Sequence, residues 1–443
     1  MRSSASPRAK PKERGSFPLL KYLFISLLIC LVINLPIGYA LGVSSAIAVV
    51  LGSATPGIVV AQRIFASMNS FPLLAIPYFM VAGAVMELGG VSKRIINLAS
   101  AFVGHRKGGV ANAAIISCAI FAAISGSTPA TAAAIGSICV PEMVKRKYPA
   151  DYSSAVVASS ACLGVIIPPS ITMVIFASTT GTSIGRVLIG GIIPGIILAL
   201  MLCITNTIFC RKAGYETEPK QTGKEVWEAF KDAVWALLMP VIILGGIMTG
   251  ICTPTESAAV AIFYGLIVGF FVYKELRVKD LIPLFYKAAL NSAMIMLLIG
   301  CSGPFGWIMT TNKVPQIVAN AIMSFSSNHY VVYALALVLF LILGTFMETA
   351  SIIMLTVPIL YPIMTMLGVD MVHFGVVGVI ALAIGMATPP VGISLFATCP
   401  IGKVSMGQIS SKVWPFLLVM ILGLFLFMFV PELVTWLPNV MMG

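Results

Sequence analysis

Two short polar clusters interrupt long apolar stretches of this chain. SGSTPAT (125–131) gathers the hydroxyls of Ser125, Ser127, Thr128 and Thr131 around Gly126 and Pro129. GTFMETAS (344–351) follows Gly344 with Thr345, Glu348, Thr349 and Ser351. Hydroxyl and carbonyl oxygens are ligands for a hard cation such as Na⁺. Helix N-termini, with unpaired N–H groups and roughly half a positive charge, suit a carboxylate. Pro129 stands where a helix restarts, its favoured position, and on a helix Glu348 and Ser351 share a face. A carboxylate within a membrane span costs about +2.5 to +3.5 kcal/mol on insertion scales for Asp at the centre, and a neighbouring cation lowers that cost. The bland readings are helix packing for any single Ser or Thr and a surface position at a hairpin end for Glu348.

A second pair of interruptions consists of consecutive prolines. GVIIPPSITMVIFAS (164–178) and GMATPPVGISLFATC (385–399) carry the same break 221 residues apart. Proline has no N–H and clashes with the preceding turn, so each pair should end a helix and free carbonyls and helix ends for ligands.

The surrounding elements must lie in lipid. The 443 residues are 59% hydrophobic and 9% charged, where a soluble domain carries about 25% charge. Apolar runs near 19–35, 37–61, 71–88, 109–143, 154–180, 186–210, 233–251, 255–273, 283–303, 329–367, 374–400 and 413–437 do not alternate as barrel strands would. The class is an all-α polytopic membrane protein. The formal charge of +12 needs no nucleic-acid partner, because Lys and Arg fall in short loops between spans and no basic patch is interleaved with aromatics. Cys30, Cys118, Cys139, Cys162, Cys203 and Cys301 sit in apolar spans without a CxxC pair and read as small buried hydrophobes. No HExxH or Walker pattern occurs, and no nucleophile–base pair lies at span depth, so neither a metal enzyme nor an ATPase is indicated. Glu256 in TPTES reads as a helix cap, and Glu87 and Glu142 as interfacial residues.

The polar clusters repeat at nearly the proline offset, and so do the amphipathic stretches 89–104 and 311–326. Two halves therefore follow each other, joined by the polar loop 211–232. Suppose 109–143 and 329–367 are re-entrant hairpins from opposite sides. The loops 89–108, 144–152, 211–232, 274–287 and 401–412 then share one side and hold 18 Lys and Arg, against Arg63, Arg186 and Lys313 opposite. The first side is cytoplasmic and the halves are inverted. The basic residues of the tail and Lys21 disagree, because this arrangement puts the N-terminus outside. Inverted repeats with discontinuous helices mark secondary transporters. A channel would need a continuous polar pathway instead.

The stretches VAQRIFASMNSFPLLAIPYFMVAG (60–83), ISGSTPATAAAIGS (124–137), GVIIPPSITMVIFA (164–177), TPTESAAVA (253–261) and HFGVVGVIALAIGMATPPVGISLF (373–396) resemble the large membrane subunit of TRAP (tripartite ATP-independent periplasmic) transporters. The resemblance runs from about residue 19 to the C-terminus. It implies a Na⁺-coupled importer of organic anions, usually carboxylates, in a bacterial inner membrane, with no organic cofactor. It also implies two partners: a small four-helix membrane subunit and a periplasmic substrate-binding protein. An elevator mechanism follows from the same resemblance. By position, a first cation site would use Ser125, Gly126, Ser127, Pro169 and Thr172, and a second Gly344, Glu348, Ser351, Met386 and Thr388. Substrate is expected between Thr128, Thr131, Ser170, Thr349, Thr388 and Pro389. Many members carry Asp where this chain has Glu348, and many have an acidic residue near Thr131. The implied division is a disordered basic tail (1–18), scaffold helices (19–88), a first transport-domain half (89–185), scaffold helices with the central loop (186–310), a second transport-domain half (311–403) and a C-terminal helix (404–443). A stand-alone Na⁺/dicarboxylate elevator symporter, acting without a binding protein, is the nearest rival.

Overall fold

The computed structural model describes residues 17–33, 35–213, 215, 217–325 and 328–442; the basic tail lies outside them. The described chain is helical with no strand, and eight of its helices are long and apolar enough to cross a membrane. Several of the apolar runs are two helices rather than one. The run 37–61 divides into Ile37–Gly52 and Ile58–Met68 around Pro56, and the last run divides into Met406–Phe429 and Glu432–Met442 at Pro431. In each case the proline cannot continue the preceding helix. Helix starts are specified locally. Thr222 with Glu225, Thr253 with Glu256 and Ser405 with Gln408 form reciprocal capping boxes. Glu256 is thus a cap, as its sequence context suggests, and the first of these boxes makes residues 223–232 of the polar loop helical. Cys30, Cys118, Cys139, Cys162 and Cys301 are buried free thiols, while Cys203 is half-buried.

Two compact units result. One takes residues up to Asn69 together with Leu297–Pro315. Small residues let its helices approach closely: a Cβ on Gly52 would lie 2.7 Å from Leu19 Cα, and one on Gly303 would overlap Ser67. Arg63 lies over the Trp307 ring at 5.3 Å in the same unit.

The other unit comprises Ser70–Met296 and Gln316 onward, and holds all the interrupted elements. The run 109–143 is a hairpin of Gly109–Ser125 and Thr128–Lys145; its counterpart is His329–Phe346 and Thr349–Met366. The first proline run is Ala150–Ala161, a 3₁₀ turn Cys162–Val165, a break, and Ile171–Thr180. The second is Met371–Met386, a break, and Ile393–Gly402.

One face of this unit is sewn together by charge. Arg94 pairs with Asp232 at 3.2 Å and with Glu275 at 2.6 Å, and its guanidinium stacks 3.8 Å from the Tyr273 ring centroid. Partial burial alone would lower the Arg94 pKa, but the bonds to Glu275 and the charge of Asp232 outweigh it and raise the value overall. Glu218 accepts from Arg146 at 3.2 Å and from the Ser100 hydroxyl at 2.5 Å, and its N–H donates to the Gly104 carbonyl at 3.0 Å. Ser411 and Lys412 line a small cavity with Pro149 and Tyr152. These contacts join the five loops that carry 18 of the Lys and Arg. The central loop is accordingly a bonded strap rather than a free tether.

Candidate functional site

The first tip is built from one glycine and a set of oxygens. Ser125 ends the ascending helix, Gly126 adopts φ +61°, and Ser127 is extended before the helix restarts at Thr128. Only glycine takes that φ readily. A Cβ there would stand 2.7 Å from the Pro169 carbonyl, so the tip lies directly on the first break. The Ile171 N–H, just past the prolines, donates to the Gly126 carbonyl at 3.4 Å. Thr131 donates its hydroxyl proton to the Ser127 carbonyl at 2.9 Å, and its oxygen lies 2.8 Å from Ser125 Oγ. With the Thr131 proton committed, Ser125 is the donor of that contact. The cluster offers carbonyl and hydroxyl oxygens and no nitrogen or sulfur ligand, which is the donor set of a hard cation. The Thr128 hydroxyl is fully buried without a hydrogen-bond partner, and no side chain caps this helix start.

The second tip differs at the helix start. Glu348 is exposed, and it caps its own helix: Oε2 accepts from the Ala350 N–H at 2.9 Å, and Oε1 from the Thr349 hydroxyl at 3.1 Å. A carboxylate accepts about four hydrogen bonds, so ligand capacity remains. The Gly392 N–H, just past the second proline pair, donates to the Thr345 carbonyl at 3.0 Å. This is the counterpart of the Ile171 to Gly126 bond. In both halves the freed backbone of the break is bonded to the tip of its own hairpin, and both Pro-Pro bonds are cis.

The two half-sites meet. Thr172, from the first break, lies 2.9 Å from Thr349 Oγ1 of the second tip, and both are buried. Thr349 gives its proton to Glu348, so Thr172 donates to Thr349 and a directed chain runs Thr172 to Thr349 to Glu348. Thr349→Val strands the buried Thr172 hydroxyl, whereas Thr172→Val leaves Thr349 still bonded to Glu348. We therefore expect the Thr349 change to destabilise more. A double-mutant cycle on thermal unfolding should give a coupling of about 1 kcal/mol; additive effects would dissolve the bridge.

Other expected residues are already engaged. Ser170 donates to the Val165 carbonyl at 2.6 Å and accepts from the Met173 N–H at 3.3 Å, so its hydroxyl holds the break together. Half-buried Thr388, in the break, donates to the Ile384 carbonyl of the preceding helix at 2.8 Å, and Pro389 is half-buried beside it. The Met386 carbonyl accepts from Ser394 at 2.8 Å. Ser351 is buried on the second hairpin, and Gly344 serves close packing, where a Cβ would lie 2.8 Å from the Leu382 carbonyl. The sequence reading missed Ser394, which relieves the second break as Ser170 relieves the first. It also missed Gly164 and Gly385, the first residues of the shared G-x-x-x-P-P pattern. A Cβ on Gly164 would stand 2.7 Å from the Ser127 carbonyl and from Thr131 Oγ1. A Cβ on Gly385 would stand 2.7 Å from Gly344 Cα. The recurrence of that glycine four residues before each proline pair was the available signal.

Comparison with known proteins agrees with this architecture. Residues 24–433 match the family described as tripartite ATP-independent periplasmic transporter, DctM component. The chain is 42% identical over 415 residues to the isethionate TRAP transporter permease protein DctMQ of Oleidesulfovibrio alaskensis, covering 94% of this chain but 65% of that longer protein. It is 36% identical to the C4-dicarboxylate TRAP transporter large permease protein DctM of Rhodobacter capsulatus, over 95% of this chain and 99% of that one. Among solved structures, the Alcanivorax borkumensis YdaH transporter shares the fold with a TM-score of 0.62 at 13% identity, covering 95% of this chain and 99% of that one.

Proposed function

As the chain belongs to the DctM component family of tripartite ATP-independent periplasmic transporters, a family of large multi-pass permeases, we propose that it is the subunit that moves a Na⁺-coupled organic anion across a bacterial inner membrane. The observation that carries this reading is the chemical difference between the two hairpin tips. At the first, an uncapped helix N-terminus and the orphaned Thr128 hydroxyl offer donors to a carboxylate. At the second, Glu348 already covers the helix start and places negative charge there. That tip repels an anionic substrate and attracts a cation. Ser125, Thr131 and the Ser127 carbonyl supply a second cation with oxygens. Thr128 then offers its free hydroxyl to the substrate carboxylate, while Thr172 and Thr349 link the two halves. Cation binding orders the tips against the breaks, and only the loaded transport-domain halves, 89–185 and 311–403, cross by an elevator displacement. A small four-helix membrane subunit and a periplasmic binding protein complete the transporter, and the binding protein selects the substrate.

Uptake by proteoliposomes holding all three components tests this. Transport of a C4-dicarboxylate, a sulfonate or another anion retained by the binding protein should collapse when external Na⁺ is replaced by choline. Uptake that is unchanged in choline and insensitive to a proton gradient overturns the coupling. Uptake without the binding protein would instead favour the stand-alone symporter. Glu348→Gln should raise the half-saturating Na⁺ concentration at least fivefold, and an unshifted Na⁺ response removes Glu348 from the cation site.

A further inference from the structure

Beside the first hairpin lies a cavity of about 1020 Å³ that the transport site does not use. Its walls are mostly apolar, apart from Asn112 and Thr207, which are hydrogen-bonded to each other at 2.9 Å. Ile196, Leu200, Ile204 and Ile208 line it from the helix Ile192–Ala213. They recur every fourth residue, hence along one face, and are 52 to 60% exposed. Ile116 and Ile120 of the hairpin form the facing wall. At the basic face the same cavity is edged by Arg106, Lys107 and Arg211. All three are exposed, and among the described residues none is ion-paired, whereas Arg94 and Arg146 on that face are. From Ile196 to Arg211 the helix rises about 22 Å. Half a bilayer core is about 15 Å, so the stripe spans one leaflet's hydrocarbon and reaches its headgroups.

We propose that this groove is a binding site for an anionic phospholipid of the cytoplasmic leaflet, its phosphate among Arg106, Lys107 and Arg211 and an acyl chain along the isoleucine stripe. The proposal does not depend on Na⁺ coupling. Charge selects this occupant. A membrane helix of a partner protein would bring its own Lys and Arg to the same side, setting cation against cation. A small hydrophilic substrate would find mostly hydrocarbon walls, with Asn112 and Thr207 already paired to each other. Phosphate is the complement of an arginine cluster, and that leaflet supplies it. The site also reaches the transport machinery. Ile167, directly before the first proline pair, lines the cavity, and its side chain seats on Gly195, where a Cβ would overlap it. A bound acyl chain therefore presses on the first break.

Native mass spectrometry on the delipidated full-length chain tests this with dioleoyl phosphatidylglycerol, dioleoyl phosphatidylcholine and glycerol phosphate as probes. We expect one phosphatidylglycerol bound per chain at least tenfold more tightly than phosphatidylcholine. The triple variant R106Q/K107Q/R211Q should lose that preference. Leu200→Trp, which fills the groove from an exposed position, should weaken both lipids at least tenfold. Equal binding of the two lipids by the unaltered chain overturns the proposal. So does an unchanged preference in the triple variant, undiminished binding by Leu200→Trp, or displacement of the lipid by millimolar glycerol phosphate or succinate, which would mark a path for soluble anions. Should the triple variant not fold, the headgroup comparison on the unaltered chain and Leu200→Trp decide.

Discussion

Gly126→Ala lowers uptake at least tenfold while the chain still reaches the membrane. Two costs combine. The residue holds φ +61°, where an L side chain costs about 1–2 kcal/mol. The new Cβ would also sit 2.7 Å from the Pro169 carbonyl oxygen, an atom fixed in the backbone of the break. The tip must lift away, which lengthens the Ile171 to Gly126 bond and spreads the oxygens of Ser125, Thr131 and Ser127. Gly126→Asn separates the two causes, because asparagine tolerates this φ but carries the same Cβ. Both variants should be impaired in proteoliposome uptake normalised to membrane content. Recovery by Asn would mean that contact with the break does not matter.

Gly164→Ala and Gly385→Ala are the second large effect. Both glycines lie four residues before a proline pair and press against the hairpin of their own half. Overpacking of this kind costs about 1–3 kcal/mol, so the thermal unfolding midpoint of each variant should fall measurably in detergent. Their functional signatures should differ. At Gly164 the displaced atoms are the Ser127 carbonyl and Thr131 hydroxyl, so half-saturating Na⁺ rises as well. At Gly385 the clash falls on Gly344 and on the Leu341 carbonyl at 2.8 Å, so stability suffers first. Unchanged midpoints in both variants would show that the helices yield easily.

Much of the frame was legible because rare residues stood out in apolar text. Proline pairs and hydroxyl clusters marked both breaks and both tips, and their common spacing disclosed the repeat. The capping role of Glu256 was equally readable, since Thr253 and Glu256 are neighbours in sequence. What escaped was decided by contacts distant along the chain. Thr172 and Thr349 lie 177 residues apart, and nothing local shows that they touch. Ser170 looks like a free ligand until the Val165 carbonyl is found to occupy it. Glu348 invites assignment as a bare ligand, yet it turns back on its own helix. The polar composition of residues 211–232 gives no sign of their partners, and yet Glu218 and Asp232 fasten the loop to arginines of the first half.

That fastening bears on how the protein is made. Arg94 and Arg146 leave the ribosome well before Glu218, Asp232 and Glu275, because synthesis runs from the N-terminus. A salt bridge cannot form across the hydrocarbon, so each late carboxylate that finds its early arginine records which side of the bilayer it occupies. A linker inserted on the wrong side would leave Arg94 without Asp232 and Arg146 without Glu218.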